Sequence, residues 1–521
     1  MRAAAHKGWL MLGELDNLSQ MLNILPEAQV RVSPKTGGNV VVLPHTLTAA
    51  TRLSRAGFDV PSPMLDEYQW TGRHAPYAHQ KVTSGFLTLN PKCAVLSDMA
   101  TGKTASAMWA ADWLMRIGQV RKVLVLCPLS CVNRVWMDEL FKWVPHRSGQ
   151  LLRGARDRRK RLAKGSQAEF LILNHDGLKV CAHELVNRGD IDIVIADEAD
   201  TYRNPDTARY RLFVQVVTAL RARLWLMTGT PTPNAPTDAW ALARLINPFN
   251  TPSGFNKFKN QTMFKVSQFK WVPKPDAHII VRKVLQPAIR FPKNVLKDLP
   301  MTTYIERECA MSKEQMKHYE MIRKHLISID AGQVINALNA AGKMNKLMQI
   351  CQGSVYTETG AVIDLPMGDR IDVTCELIDA SLSKSIVFVP YRHVCDRVQA
   401  ELERRGYGVA VVHGGVTGGK RDHALQRFQL DDSTQVLVAH PRTASHGLNL
   451  QCASTTVWYG PTFSTGQWLQ ANERMSRTGQ AHKMIIAKLA SMPVERGAYD
   501  TVVINDDRQS RILKLYEEVF K

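Results

Sequence analysis

From residue 77 onward, short apolar runs alternate with longer amphipathic stretches. The runs at 94–96, 123–126, 170–173, 193–196 and 224–227 are apolar at nearly every position. Runs this short and this uniformly apolar suit parallel strands buried on both faces. The helical stretches between them imply a doubly wound α/β sheet. A second series repeats the pattern at 385–389, 409–412, 435–438, 456–459 and 484–487. Between the two series, 251–299 is rich in Lys, Phe and Pro and has no clean period. Before them, 40–43 is β-branched and reads as a strand, with a helix expected over 46–56. The expected organisation is an N-terminal accessory module at 1–70, a first α/β lobe at 71–284, and a connector, helical segment and second lobe at 285–521.

Length and composition sharpen this. The 521 residues fit about three domains. No run approaches the ~18 apolar residues of a membrane span, so no membrane partner is expected. The N-terminal stretch is interrupted by Glu14 and Asp16 and does not read as a signal peptide. The nine cysteines contain no CxxC, which argues against zinc and against a disulfide framework. A reducing cytoplasm is the expected location. The net charge of +20 favours a polyanionic partner, most often nucleic acid.

Chemistry enters at the ends of the apolar runs. The 94–96 run leads into Ser97-Asp98-Met99-Ala100-Thr101-Gly102-Lys103-Thr104, then a helical stretch. A tight strand-to-helix loop points backbone N–H groups and the positive helix end at phosphates. Lys103 can reach the β- and γ-phosphates, and the Thr104 hydroxyl can ligate Mg²⁺. Ser97 stands where the first glycine of GxxxxGK[ST] belongs. The 193–196 run ends in Asp197-Glu198-Ala199-Asp200. Asp197 would hold Mg²⁺, largely through water, and Glu198 would polarise the attacking water. The 224–227 run ends in Thr228-Gly229-Thr230-Pro231, with Asn234 beyond. Near the C-terminus, Arg474 and Arg477 lie three apart; on one helix they would share a face and could stabilise a transferring phosphoryl group.

In this order the motifs resemble superfamily 2 helicases, specifically the SWI/SNF-type branch. Tyr77-Ala78-His79-Gln80 is similar to the adenine-side glutamine motif, and Ser97 to Thr104 to motif I. Cys127-Pro128-Leu129-Ser130, with Trp136 and Glu139, resembles motif Ia. Asp197 to Asp200 resembles motif II, and Thr228 to Pro231 with Asn234 resembles motif III. Lys384 to Phe388 resembles motif IV, and Gly447-Leu448-Asn449-Leu450 resembles motif V. Gln470, Arg474, Arg477, Gly479 and Gln480 match QAxxRxxRxGQ of motif VI. The resemblance runs from about Tyr77 to about Ala490. It implies two RecA-like lobes with ATP between them. It assigns the nucleotide to Gln80, Met99, Ala100, Thr101, Gly102, Lys103, Thr104, Asp197, Gly447 and Gln470, with catalysis by Lys103, Glu198, Arg474 and Arg477. Ala100 departs from the branch's glycine, and a positive φ there would strain it by about 1 kcal/mol or more.

The implied activity is ATP-dependent movement on DNA, duplex or branched, with fork or branch remodelling as an extension. Two alternatives stay open: a strand-separating helicase of DEAD type acting on DNA or RNA, and a nucleic-acid-binding scaffold. Residues 257–297 carry ten Lys and Arg against one acid, Asp276, interleaved with Phe258, Phe264, Phe269, Trp271 and Phe291. They fit either nucleic-acid contact or a hydrophobic brace with a solvated basic face. A second basic cluster runs from Arg153 to Lys164. The resemblance adds Ser130, Thr443 and His413-Gly414 as expected nucleic-acid contacts.

Overall fold

The computed structural model describes residues 2–6, 8–13, 22–23, 25–32, 37–129, 131–268, 270–296, 300–330, 337–356, 361–416, 419–444, 450–476 and 480–517. The chain divides into one unit of Met1–Val295 with Gln509–Lys521 and a second of Leu296–Arg508.

The first unit opens with β1 (Arg2–His6), β2 (Trp9–Gly13), β3 (Gln29–Val32) and β4 (Asn39–Pro44). They form an antiparallel sheet in the order β1-β2-β4-β3. Leu10, Leu12, Val41 and Leu43 alternate onto one face, where the helix Leu47–Arg55 covers them with Ala49, Ala50 and Leu53. Thr46 caps that helix by accepting from the Ala49 N–H at 3.2 Å.

The main sheet of this unit contains β5 (Lys92–Val95), β6 (Lys122–Cys127), β7 (Gly149–Leu151), β8 (Phe170–Asn174), β9 (Ile191–Asp197) and β10 (Arg223–Met227). After the hairpin of β11 (Met263–Lys265) and β12 (Trp271–Pro273), β13 (Ala288–Ile289) completes it. The order is β13-β5-β10-β9-β6-β8-β7, and every pairing is parallel. Side-chain alternation explains the uniformly apolar runs. Leu124, Leu126, Val194, Ala196, Leu224 and Leu226 enter one core, while Val123, Val125, Ile193, Ile195, Trp225 and Met227 enter the opposite one. Residues 285–295, set with the second lobe on sequence grounds, supply an edge strand here. Ala288–Ile289 is too short to register as an apolar run, yet it pairs with β5.

The second unit holds β14 (Thr302–Glu308), a hairpin of β15 (Ser354–Tyr356) and β16 (Val362–Asp364), then β17 (Lys384–Phe388), β18 (Val409–Val412), β19 (Val436–Ala439), β20 (Ala453–Trp458) and β21 (Met484–Ala490). Its sheet runs β14-β21-β20-β17-β19-β18, again all parallel. Its two faces feed separate cores in the same way. Among the described residues, no helix is long and apolar enough to cross a membrane.

Candidate functional site

Strands β5, β10 and β9 are neighbours, and their carboxyl ends are in register: Met227 sits opposite both Val95 and Asp197. The phosphate loop, the Thr228–Pro231 turn and the acidic box therefore emerge side by side at one edge of the first sheet. This is the edge where open α/β sheets bind ligands.

The loop is built for close backbone approach. Gly102 has φ +80° and immediately precedes the helix Lys103–Arg116. A Cβ on Gly102 would lie 2.0 Å from Gln80 Nε2 and displace that side chain, and the positive φ itself favours glycine. Ala100 has φ +65°, the strained conformation expected there if the position demanded positive φ. The Lys103 ammonium donates to the Ser97 carbonyl at 2.7 Å and the Asp98 carbonyl at 3.1 Å. Burial pulls its pKa down, while Glu198, Asp197 and Asp98 pull it up. Gln80 is buried; its Oε1 accepts the Tyr77 N–H at 3.0 Å and its Nε2 donates to the Thr101 carbonyl at 3.4 Å. His79 Nε2 donates to the same carbonyl at 2.9 Å. Thr101 Oγ1 donates to the Asp98 carbonyl at 2.8 Å, and Thr104 is half-buried one residue past Lys103.

Asp197 ends β9 and Glu198 follows with φ +51°. Burial and the adjacent Glu198 charge push the Asp197 carboxyl up to about 6, against the pull of Trp136 and Lys103. Asp200 is pushed up to about 8 by burial and Glu198, with Arg203 opposing from 3.6 Å. In the neighbouring turn, the Thr230 N–H donates to Thr228 Oγ1 at 3.0 Å. Asp238 Oδ2 accepts the Asn234 and Ala235 N–H groups at 2.9 and 3.2 Å. The TGTP segment is thus a braced polar turn beside the loop.

Several contacts at the site were not evident in the sequence. Trp136 Nε1 donates to Asp197 Oδ2 at 2.9 Å. The segment after β13 straps the phosphate loop: the Phe291 N–H donates to Ser97 Oγ at 2.9 Å, the Lys293 N–H to Asp98 Oδ2 at 3.0 Å, and Arg290 pairs with Asp98 at 3.1 Å. Ser97, the departure from the glycine pattern, thus accepts a structural hydrogen bond. Among the described residues, no group of three or more His, Cys, Asp or Glu is arranged to hold a metal.

In the second unit, Arg474 lies in a turn just past a helix. The helix Thr465–Asn472 ends before it, and Arg477, with Thr478 and Gly479, lies outside the described residues. Side chains hold this turn. Trp458 Nε1 donates to Asn472 Oδ1 at 2.8 Å, and Gln480 Nε2 donates to the Ala453 and Met475 carbonyls at 2.9 and 3.2 Å. The Leu450 N–H donates to the Arg474 carbonyl at 3.2 Å, which ties this turn to the end of motif V. Gln470 and Arg474 are buried. Gly447, Ser130, Phe269 and Lys297 lie outside the described residues. Lys384 donates to the Phe428 and Asp431 carbonyls at 2.9 and 2.6 Å, a structural role. His413 is buried, with Nδ1 accepting the Gly415 N–H at 3.0 Å and Nε2 donating to Asp396 at 2.9 Å; Gly414 is exposed. Thr443 closes the turn after His440 through its N–H at 2.9 Å.

Residues 77–354 match the SNF2-related domain, more than half of the chain. The chain belongs to the SNF2-related family. Residues 369–479 of this SNF2-related chain also match the helicase conserved C-terminal domain. It is similar to Nuclear protein STH1/NPS1 of Saccharomyces cerevisiae, 27% identical over 432 residues, which cover 76% of this chain and 31% of that protein. It is also similar to Putative protein p41 of Acyrthosiphon pisum secondary endosymbiont phage 1, 25% identical, covering 78% of this chain and 89% of that one. The SNF2-related chain therefore spans about a third of the yeast relative's length and most of the phage relative's. Among solved structures it is similar to the Sulfolobus solfataricus SWI2/SNF2 ATPase core in complex with dsDNA. That match has 20% identity and a TM-score of 0.39, and covers 86% of this chain and 97% of that one.

Proposed function

We infer that this SNF2-related chain is an ATP-dependent DNA translocase. The reading is carried by one observation: Lys103, the Asp197-Glu198 pair and the Thr228–Pro231 turn emerge together at the carboxyl edge of β5, β9 and β10. ATP fits the residues present. Gly102 lets the loop pass close to the Gln80 side chain, and the Lys103 ammonium is held by two carbonyls that a phosphate can replace. Mg²⁺ fits the Thr104 hydroxyl at the start of the helix after the loop and the Asp197 carboxylate at the end of β9, two oxygen donors of the kind this cation takes. When bound, Mg²⁺ neutralises charge on the β- and γ-phosphates.

In this reading Lys103 binds and orients the phosphates, and Glu198 holds the attacking water and takes its proton. Arg474 and Arg477 stabilise the charge of the transferring phosphoryl group. Successive ATP-bound and ATP-free states grip the phosphate track differently, which yields stepping. The track proposed is duplex DNA, with the 1–70 module extending the activity to forks or branches.

ATPase rates with no polymer, duplex DNA, single-stranded DNA and RNA test the reading. Duplex DNA should stimulate most. Lys103→Ala should weaken ATP binding and stop turnover, whereas Glu198→Gln should bind ATP and stop turnover. Preferential stimulation by RNA, or wild-type hydrolysis by Glu198→Gln, would overturn it. Triplex-strand displacement reports tracking along duplex. Processive unwinding of a long fork without triplex displacement would make the protein a strand-separating helicase.

A further inference from the structure

The basic segment after the Thr228–Pro231 turn resolves into a braced fold and an open cavity. Phe258 is fully buried in the first core and Phe291 packs against the second. Lys259 lies over the Trp271 ring at 4.1 Å and Lys274 over Phe264 at 5.2 Å, so both hairpin aromatics already face a cation. The brace reading therefore accounts for much of the segment.

It does not account for Phe249, which is 99% exposed. Its loop is pinned on both sides of it. Arg244 donates to the Pro248 carbonyl at 2.8 Å and the Thr251 carbonyl at 3.2 Å. Thr251 Oγ1 donates to the Asn247 carbonyl at 2.7 Å, and Trp240 Nε1 donates to the Pro252 carbonyl at 2.8 Å. The loop is thus held firmly while it presents the whole phenyl ring to water.

Phe249 borders a cavity of about 780 Å³, within the ~300–1,000 Å³ range of ligand sites. Arg244, Lys257, Lys274 and Lys283 also line it, above an apolar wall that includes Ile280, and among the described residues no acid does. Lys257 and Lys283 are exposed and have no ion-pair partner among the described residues. Asp276, the one acid within 257–297, is not part of the lining.

We propose that this cavity holds an unpaired nucleotide of a DNA strand, its base stacked on Phe249 and its phosphates against Lys257 and Lys283. The proposal rests on the translocase reading for the identity of the polymer. A flat, exposed aromatic ring beside two cations with no ion-pair partner is the recognition chemistry of single strands. Bases within a duplex are stacked on each other and offer no face to Phe249. The site therefore takes a tail, a displaced strand or a base opened at a junction.

The test uses the full chain without nucleotide and fluorescence anisotropy with labelled oligo(dT) and a blunt duplex. Phe249→Ala, at a fully exposed position, should weaken oligo(dT) binding at least about five-fold. Blunt-duplex affinity and DNA-free ATPase should not change. The Lys257→Ala, Lys283→Ala double variant should lower the salt slope of oligo(dT) binding by about 0.7 for each phosphate no longer neutralised. Unchanged oligo(dT) affinity in Phe249→Ala, with duplex-stimulated ATPase intact, overturns this proposal alone. Equal losses on oligo(dT) and duplex would also overturn it, making the loop a general phosphate surface. Phe249-dependent binding of poly-glutamate in place of oligo(dT) would assign the cavity to an acidic peptide. A wild type that binds no DNA, with an ATPase indifferent to it, overturns the translocase reading as well.

Discussion

The Trp136 indole donates its N–H to Asp197 Oδ2 at 2.9 Å, which makes a buried tryptophan the side-chain donor to the carboxylate that ends β9. The bond favours the ionised form of a group that burial and Glu198 push up to about 6. Only the ionised form can hold a cation. Activity should therefore fall as pH drops through this value, and the acid limb of kcat/KM reports it for the free protein. In Trp136→Phe the donor is gone and the Asp197 pKa rises further. The acid limb should move to higher pH while the alkaline limb stays. An unmoved acid limb would remove Asp197 from the rate-determining titration.

Ala100 should be a site of easy stabilisation. Its φ of +65° costs an L-residue about 1–2 kcal/mol, and glycine returns part of that as unfolded-state entropy. Ala100→Gly should raise the unfolding free energy by up to about 1 kcal/mol, read as a higher denaturant midpoint at constant slope. A lower midpoint would mean that the methyl group makes a packing contribution larger than the strain.

Asp200 gives a pH signature of the opposite sense to a stabilising carboxylate. Its folded pKa is pushed up to about 8, above the ordinary value of about 4. The folded state therefore holds the extra proton between these values, and stability falls as pH rises across that window. Asp200→Asn should raise Tm at pH 8 and change it little near pH 4. An equal gain at both pH values would point to packing and away from charge.

Arg474 is proposed to act on the phosphoryl group even though it follows the end of a helix. Arg474→Ala should slow hydrolysis by on the order of 10³-fold. Arg474→Lys keeps the charge but loses the planar fork, so it should remain slow while its Tm stays near wild type. Recovery of the rate in Arg474→Lys would make point charge sufficient. Loss of DNA binding with normal basal ATPase would make this segment a backbone reader.

The two parallel sheets were legible because their strands are covered on both faces and their apolar runs are uninterrupted. Strands without an apolar run were not. β14 is mostly polar, with the sequence Thr-Thr-Tyr-Ile-Glu-Arg-Glu, and β3 is exposed throughout; neither carries a hydrophobic signature. The Lys103, Asp197 and Glu198 positions were legible because they sit directly at the ends of such runs. The Trp136 bond and the 290–293 strap join residues far apart in sequence, and no local pattern encodes them. The bonds around Arg474 have the same long-range character: Trp458 donates to Asn472 at the end of the helix Thr465–Asn472, and Gln480 donates to the Ala453 carbonyl.

The strap has a mechanical consequence. The first unit's long segment ends at Val295, only a few residues after Arg290, Phe291 and Lys293 grip Ser97 and Asp98. The polypeptide therefore leaves this unit from a point bolted to the phosphate loop. A pull on the chain beyond Val295 is delivered to Ser97 and Asp98 through two backbone N–H groups and one guanidinium, before it loads the sheet core. The same two residues supply the carbonyls that hold the Lys103 ammonium, so tension on the exit strand and the posture of that lysine share one anchorage.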